Sequence, residues 1–186
     1  NLSRELAGEC MVLLENDGAL PFAAKKVAIY GNGVRGTIKG GTGSGDVNVR
    51  HYVTIEEGME NAGFEITSKE WMDAYDKVVA DAHKAFIERV KKEAAELGIN
   101  AVMYGKAMPE PEYELPLDAE GNLAVYVLSR NSGEGADRST EPGDIDLSAT
   151  EIRDILACSK KYEKFVLVLN VGGMVNLEPV KEVKNI

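Results

Sequence analysis

Three uninterrupted apolar runs constrain this chain most: residues 27–30 (VAIY), 123–128 (LAVYVL) and 165–169 (FVLVL). A strand with one wet face alternates apolar with polar residues. A run without alternation needs cover on both faces, the situation of a parallel sheet between helical layers. Helix-period segments separate the runs, as crossover connections require. Residues 68–97 carry apolar side chains at Trp71, Tyr75, Val78, Ala82, Phe86 and Val90, with Gly98 as the stop. Thr54 with Glu57, and Ser148 with Glu151, have the spacing of capping boxes opening helices to about Ala62 and Cys158. A further helix is predicted over residues 3–11, capped by Ser3. The expected fold is α/β, a three-layer α/β/α sandwich with a mostly parallel sheet in which the three runs are adjacent or nearly so. Residues 1–186 read as a single domain; the proline-rich stretch 107–122 is a loop within it.

The first run leads into GNGVRGTIKGGTGSGD, residues 31–46. Gly31, Gly33 and Gly36 match the Gly-x-Gly-x-x-Gly of a dinucleotide-binding turn, but that turn must pass directly into a helix whose N-terminus receives the pyrophosphate. Seven of these sixteen residues are glycine, and no helix can begin before about Thr54. No Gly-Lys-Ser/Thr follows either, so nucleotide binding is excluded. The remaining readings are a flexible surface loop, or a backbone that closely approaches a ligand or another domain, with Thr42, Ser44 and Asp46 interleaved. The second run leads into SRNSGEGADR, residues 129–138. Parallel strands place both loops at one edge, where open α/β sheets bind ligands. Glu134 stands there between Gly133 and Gly135.

The net charge of −10 disfavours nucleic acid and anionic membrane surfaces as partners. No apolar run approaches the ~20 residues that span a membrane. Cys10 and Cys158 sit in helix-like sequence and are expected to be buried or half-buried without chemistry. His51 and His83 lack a ligand-like partner pattern, so no metal is expected.

Five segments in order resemble glycoside hydrolase family 3, specifically its second, α/β-sandwich domain: AGECMVLLENDGALPF, KKVAIYGNG, KGGTGSGD, SGEGADR and LVLNVGGMVNL. The resemblance implies one domain of a retaining β-glycosidase, β-glucosidase-like, acting on terminal non-reducing β-linked sugars without a cofactor. Glu134 matches the family's general acid/base. The nucleophile is expected on a barrel domain of the same parent chain, which makes that barrel a partner and leaves the isolated chain inactive. The substrate is a β-glycoside or oligosaccharide. Thr42, Ser44, Asp46, Asp137 and Arg138 are candidate substrate-binding residues; for Asp137 and Arg138 a local ion pair that fixes the loop is the preferred reading. The family's sheet continues beyond this segment, so a truncated sheet is expected, with a further strand beginning near Ile186. The alternative, from another functional class, is a non-catalytic, flavodoxin-like ligand-binding or interaction module.

Overall fold

The computed structural model describes residues 2–23, 25–103, 108–132 and 137–186. In chain order the main elements are α1 (Leu2–Glu9), β1 (Lys26–Tyr30), α2 (Ile55–Asn61), β2 (Glu65–Ile66), α3 (Lys69–Glu96), β3 (Leu123–Arg130), α4 (Ala149–Lys161) and β4 (Lys164–Val171). The strands form one sheet in the order β2-β1-β3-β4, and every pairing is parallel. The chain leaves β1 outward to β2, then crosses back over β1 to β3. Right-handed crossovers therefore put α2 on one face and α3 and α4 on the other. The three apolar runs are β1, β3 and β4, side by side as expected.

All eight residues of β3 are buried, which explains the unbroken apolar sequence at its start. β3 and β4 each extend past their apolar runs, to Arg130 and Val171, because the polar residues there find lateral partners. The Ser129 hydroxyl meets the Asn170 side chain, and Arg130 pairs with buried Glu151. Tyr30 and Tyr126 face each other in register on the α3/α4 side. Around Tyr30 the Trp71 ring packs edge-on at 5.2 Å, and the Tyr30 and Tyr162 hydroxyls meet at 2.6 Å. Trp71 and Tyr75 stack at 5.3 Å, and Tyr113 packs edge-on against both. These rings hold the proline-rich stretch over the sheet and the start of α3.

Ser148 and Glu151 form the reciprocal capping box. α4 runs to Lys161, three residues beyond the predicted end, with Lys160 and Lys161 in the last turn where the helix dipole favours cations. The second predicted box is only half made. Thr54 accepts from the Glu57 N–H, but the Glu57 carboxylate is turned to His51 Nε2 at 2.7 Å. Gly63 ends α2 with φ +88°, a conformation that favours glycine. α1 begins at Leu2, so Ser3 lies inside its first turn rather than at the cap. Cys158 is buried, and burial pushes its thiol up to about 12. Cys10 is exposed, contrary to the expectation of burial, because the whole stretch from Leu6 to Leu14 lies at the surface. Past β4, Asn185 accepts from the Leu167 N–H at 2.8 Å, and Ile186 bonds to Glu15 and Leu14. These backbone hydrogen bonds tie residues 185–186 to β4 and to the segment after α1, with no strand assigned there.

Candidate active site

β1 stops at Tyr30, opposite Tyr126, while β3 runs four residues further. The first turn of the glycine loop folds against that overhang. Gly33 N donates to Val127 O at 3.1 Å. A Cβ on Gly31 would lie 2.3 Å from Val127 O, and one on Gly33 would lie 2.2 Å from Ser129 Oγ. Gly31 also has φ +96°. These two glycines allow close approach to β3 of the same sheet, a use that neither reading of the loop foresaw. Gly41 and Gly45 meet no such neighbour, since a Cβ there would contact nothing within 4 Å.

Two asparagines fix the loop with side-chain amides used as surrogate backbone. Asn32 Oδ1 accepts from Ser129 N at 2.8 Å, and its Nδ2 donates to Ser129 O at 3.3 Å. Asn170 Oδ1 accepts from Ile38 N at 2.6 Å, and its Nδ2 donates to Ile38 O at 3.1 Å. Asn170 Oδ1 also accepts from Ser129 Oγ at 3.0 Å. Behind Asn32 stands Glu110, which accepts from Asn32 at 3.3 Å and from Tyr75 OH at 2.5 Å. Burial pushes the Glu110 carboxyl above its ordinary value, partly offset by these two hydrogen bonds.

The loops after β1, β3 and β4 consequently meet at the carboxyl edge. A groove of about 380 Å³ lies between them, lined by Ile38, Gly40, Asn131, Ser132, Asn170 and Gly172 among others. It continues past Asn131 toward Thr42, Asp46 and Tyr52. Of the candidate sugar-binding residues, Thr42 and Asp46 are thus brought to the groove. The Asp46 carboxylate is engaged by Lys39 Nζ at 2.8 Å. Ser44 is exposed within the 3-10 turn Gly43–Gly45. Glu134 lies outside the described residues. The residues flanking it are described: Asn131 and Asp137 are exposed, and Ser132 and Arg138 are half-buried.

The ion pair of Arg138 is made with Asp144, not with its neighbour Asp137. Asp144 also accepts from Ser139 N at 2.6 Å. Burial raises the Asp144 carboxyl, but the Ser139 N–H and the Arg138 guanidinium outweigh it and hold the group below its ordinary value. Arg138 Nη1 reaches Ser132 Oγ at 3.3 Å, so the two sides of the Glu134 segment are joined. The sequence reading missed Asn32, Asn170, Glu110 and Asp144. Asn170 had a local signal, a polar residue closing an apolar strand run. The others depend on partners remote in sequence or on the turn geometry around Gly143, which has φ +91°. No group of three or more His, Cys, Asp or Glu side chains suited to a metal occurs among the described residues.

Known proteins share this fold. Residues 11–186 match the glycosyl hydrolase family 3 C-terminal domain. β-Glucosidase A of Butyrivibrio fibrisolvens is 31% identical across 94% of the chain and 23% of the relative. A β-glucosidase of Ruminococcus albus is 27% identical across 96% of the chain and 18% of the relative. The structure of β-glucosidase 3B from Thermotoga neapolitana in complex with glycerol is 29% identical and superposes with a TM-score of 0.70, over 99% of this chain and 25% of that one. The same enzyme in complex with glucose gives 28% identity and a TM-score of 0.65, over 94% of this chain and 24% of that one. The chain therefore spans about a fifth to a quarter of the length of these relatives. With a parallel α/β sheet, a glycine loop seated on β3 and a family match over nearly its whole length, the chain belongs to the C-terminal domain of glycoside hydrolase family 3.

Proposed function

We propose that this chain supplies the general acid/base, Glu134, to a retaining β-glucosidase whose nucleophile lies on a barrel domain of the same protein. The observation that carries the reading is the convergence of the loops after β1, β3 and β4 on one groove, with Ser132 and Arg138 joined on either side of the Glu134 segment. Relatives named as β-glucosidases, one solved in complex with glucose, support a glucoside as substrate. In a retaining mechanism one carboxylic acid protonates the departing oxygen while a carboxylate ~5–5.5 Å away attacks the anomeric carbon. The acid then turns base and activates the water that releases the sugar. Thr42, Ser44, Asp46 and Asp137 belong to the rim that receives substrate. Arg138, held by Asp144 and Ser132, fixes the segment. Without its nucleophile the isolated chain hydrolyses no aryl glucoside.

The test is leaving-group dependence in the full-length protein. Glu134→Gln removes proton donation, an effect typically worth ~10²–10⁴-fold. The loss falls on an unactivated β-linked disaccharide, whose departing oxygen needs the proton. Cleavage of a dinitrophenyl β-glucoside, read as the first-step burst, stays nearly intact. Equal losses on both substrates would remove Glu134 from the proposed role.

A further inference from the structure

We infer that Asp144 is a positioning residue for the acid/base segment, holding Arg138 across the base of that segment against Ser132; this rests on the reading of Glu134 above. Asp144 is ten residues beyond Glu134 and lies in none of the matched motifs. Its Oδ1 accepts from Arg138 Nε, and its Oδ2 accepts from Ser139 N at 2.6 Å and Ser139 Oγ at 3.3 Å. Its own backbone is anchored to the core. Arg130 Nε donates to Asp144 O at 2.9 Å, and Arg130 is paired at 2.5 Å with Glu151 of the α4 capping box. A continuous chain of contacts thus runs from the buried start of α4 through Arg130, Asp144 and Arg138 to Ser132.

Ser132 is confined on its other side. A Cβ added to Gly173 would lie 2.8 Å from Ser132 Oγ, so the turn after β4 closes on it. Stability alone gives a poor account of this cluster. The Arg138–Asp144 pair is half-buried, so its attraction is offset by the desolvation of both groups. Arg138 Nη2 is buried and finds no hydrogen-bond partner among the described residues, a cost rather than a gain. What the cluster achieves is placement. Both flanks of a glycine-rich acid-bearing segment are tied to rigid elements, and a displacement near 1 Å costs proton transfer as much as 10²-fold.

The experiment compares Asp144→Asn, Glu134→Gln and the double variant in the full-length protein, on an unactivated β-glucoside disaccharide and on dinitrophenyl β-glucoside. Asp144→Asn is expected to lower kcat/KM on the disaccharide ~10–100-fold and first-step cleavage of the dinitrophenyl substrate less than ~3-fold. In the Glu134→Gln background it should add less than ~3-fold on either substrate, because it acts through Glu134. A merely structural residue would depress both substrates together and add its full effect in the double variant. That pattern, or a folded Asp144→Asn with wild-type rates, overturns the inference. If Asp144→Asn does not fold, Ser132→Ala reads the same tie: selective loss on the disaccharide supports it, and equal or no loss overturns it. Glu134→Gln alone separates the two proposals. If it is selective and Asp144→Asn is not, only the positioning role fails; if it is not selective, the acid/base reading fails first.

Discussion

Asn170 and Ile38 pair as two neighbouring strand residues would, although only Ile38 uses its backbone: Ile38 N donates to Asn170 Oδ1 at 2.6 Å and Asn170 Nδ2 donates back to Ile38 O at 3.1 Å. The glycine loop is thereby fastened to the end of β4. Asn170→Ala leaves both groups of Ile38 and the Ser129 hydroxyl to find water, at a cost of about 1–3 kcal/mol. Amide hydrogen exchange at Ile38 should accelerate while β3 amides such as Val125 keep their protection. Asn170→Asp retains the acceptor and loses the donor, so it should fall between wild type and alanine.

Glycines of one loop should differ sharply in tolerance. Gly31→Ala forces a side chain onto Val127 O from a left-handed backbone and should cost on the order of 3 kcal/mol. Gly41→Ala meets open space and should leave stability within ~0.5 kcal/mol. Urea denaturation of the two variants checks the contrast. Equal effects would remove close packing on β3 as the reason for the first glycines.

Arg130 and Glu151 are almost completely buried. Glu151→Ala abandons a buried guanidinium and half the α4 capping box, and should destabilise by about 3–5 kcal/mol. Ser148→Ala loses only the N-cap and should cost ~1 kcal/mol. Denaturant midpoints should rank wild type above Ser148→Ala, and Ser148→Ala above Glu151→Ala.

Glu110 yields a pH prediction of unusual sign for a carboxylate. Its folded pKa lies above the ordinary 4.5, chiefly through burial. Between the unfolded and folded values the native state binds more protons than the unfolded state, so this group lowers stability as pH rises through that window. Glu110→Gln cannot ionise. Its stability relative to wild type should therefore increase as pH is raised from about 4.5 and level off above the folded value. A difference that stays flat with pH, or falls, contradicts the raised pKa.

The scaffold was legible because its determinants are local. Continuous apolar runs marked β1, β3 and β4, and the Ser148–Glu151 spacing marked α4. Where a residue had a choice of partners the sequence was silent. Glu57 turned to His51 instead of the Thr54 N–H. Ser68 sits at the helix cap, but its hydroxyl is spent on Ile29 N at 2.8 Å and Ile29 O at 2.7 Å. The edge on which the loops after β1, β3 and β4 meet followed from strand direction alone. The side chains that hold it, Asn32 on Ser129 and Asp144 on Arg138, depend on where β3 overhangs β1 and how the chain turns at Gly143, neither of which leaves a pattern in the sequence.

The proposal that Glu134 is the acid/base is tested most directly by azide trapping in full-length Glu134→Ala protein supplied with dinitrophenyl β-glucoside. The activated leaving group departs without a proton, so the glucosyl-enzyme forms and accumulates for want of a base. Azide attacks it without base assistance. The predicted result is turnover that rises with azide and a glucosyl azide of β configuration, read from its anomeric coupling by NMR. No rescue and no glucosyl azide, with the variant folded, would contradict the assignment.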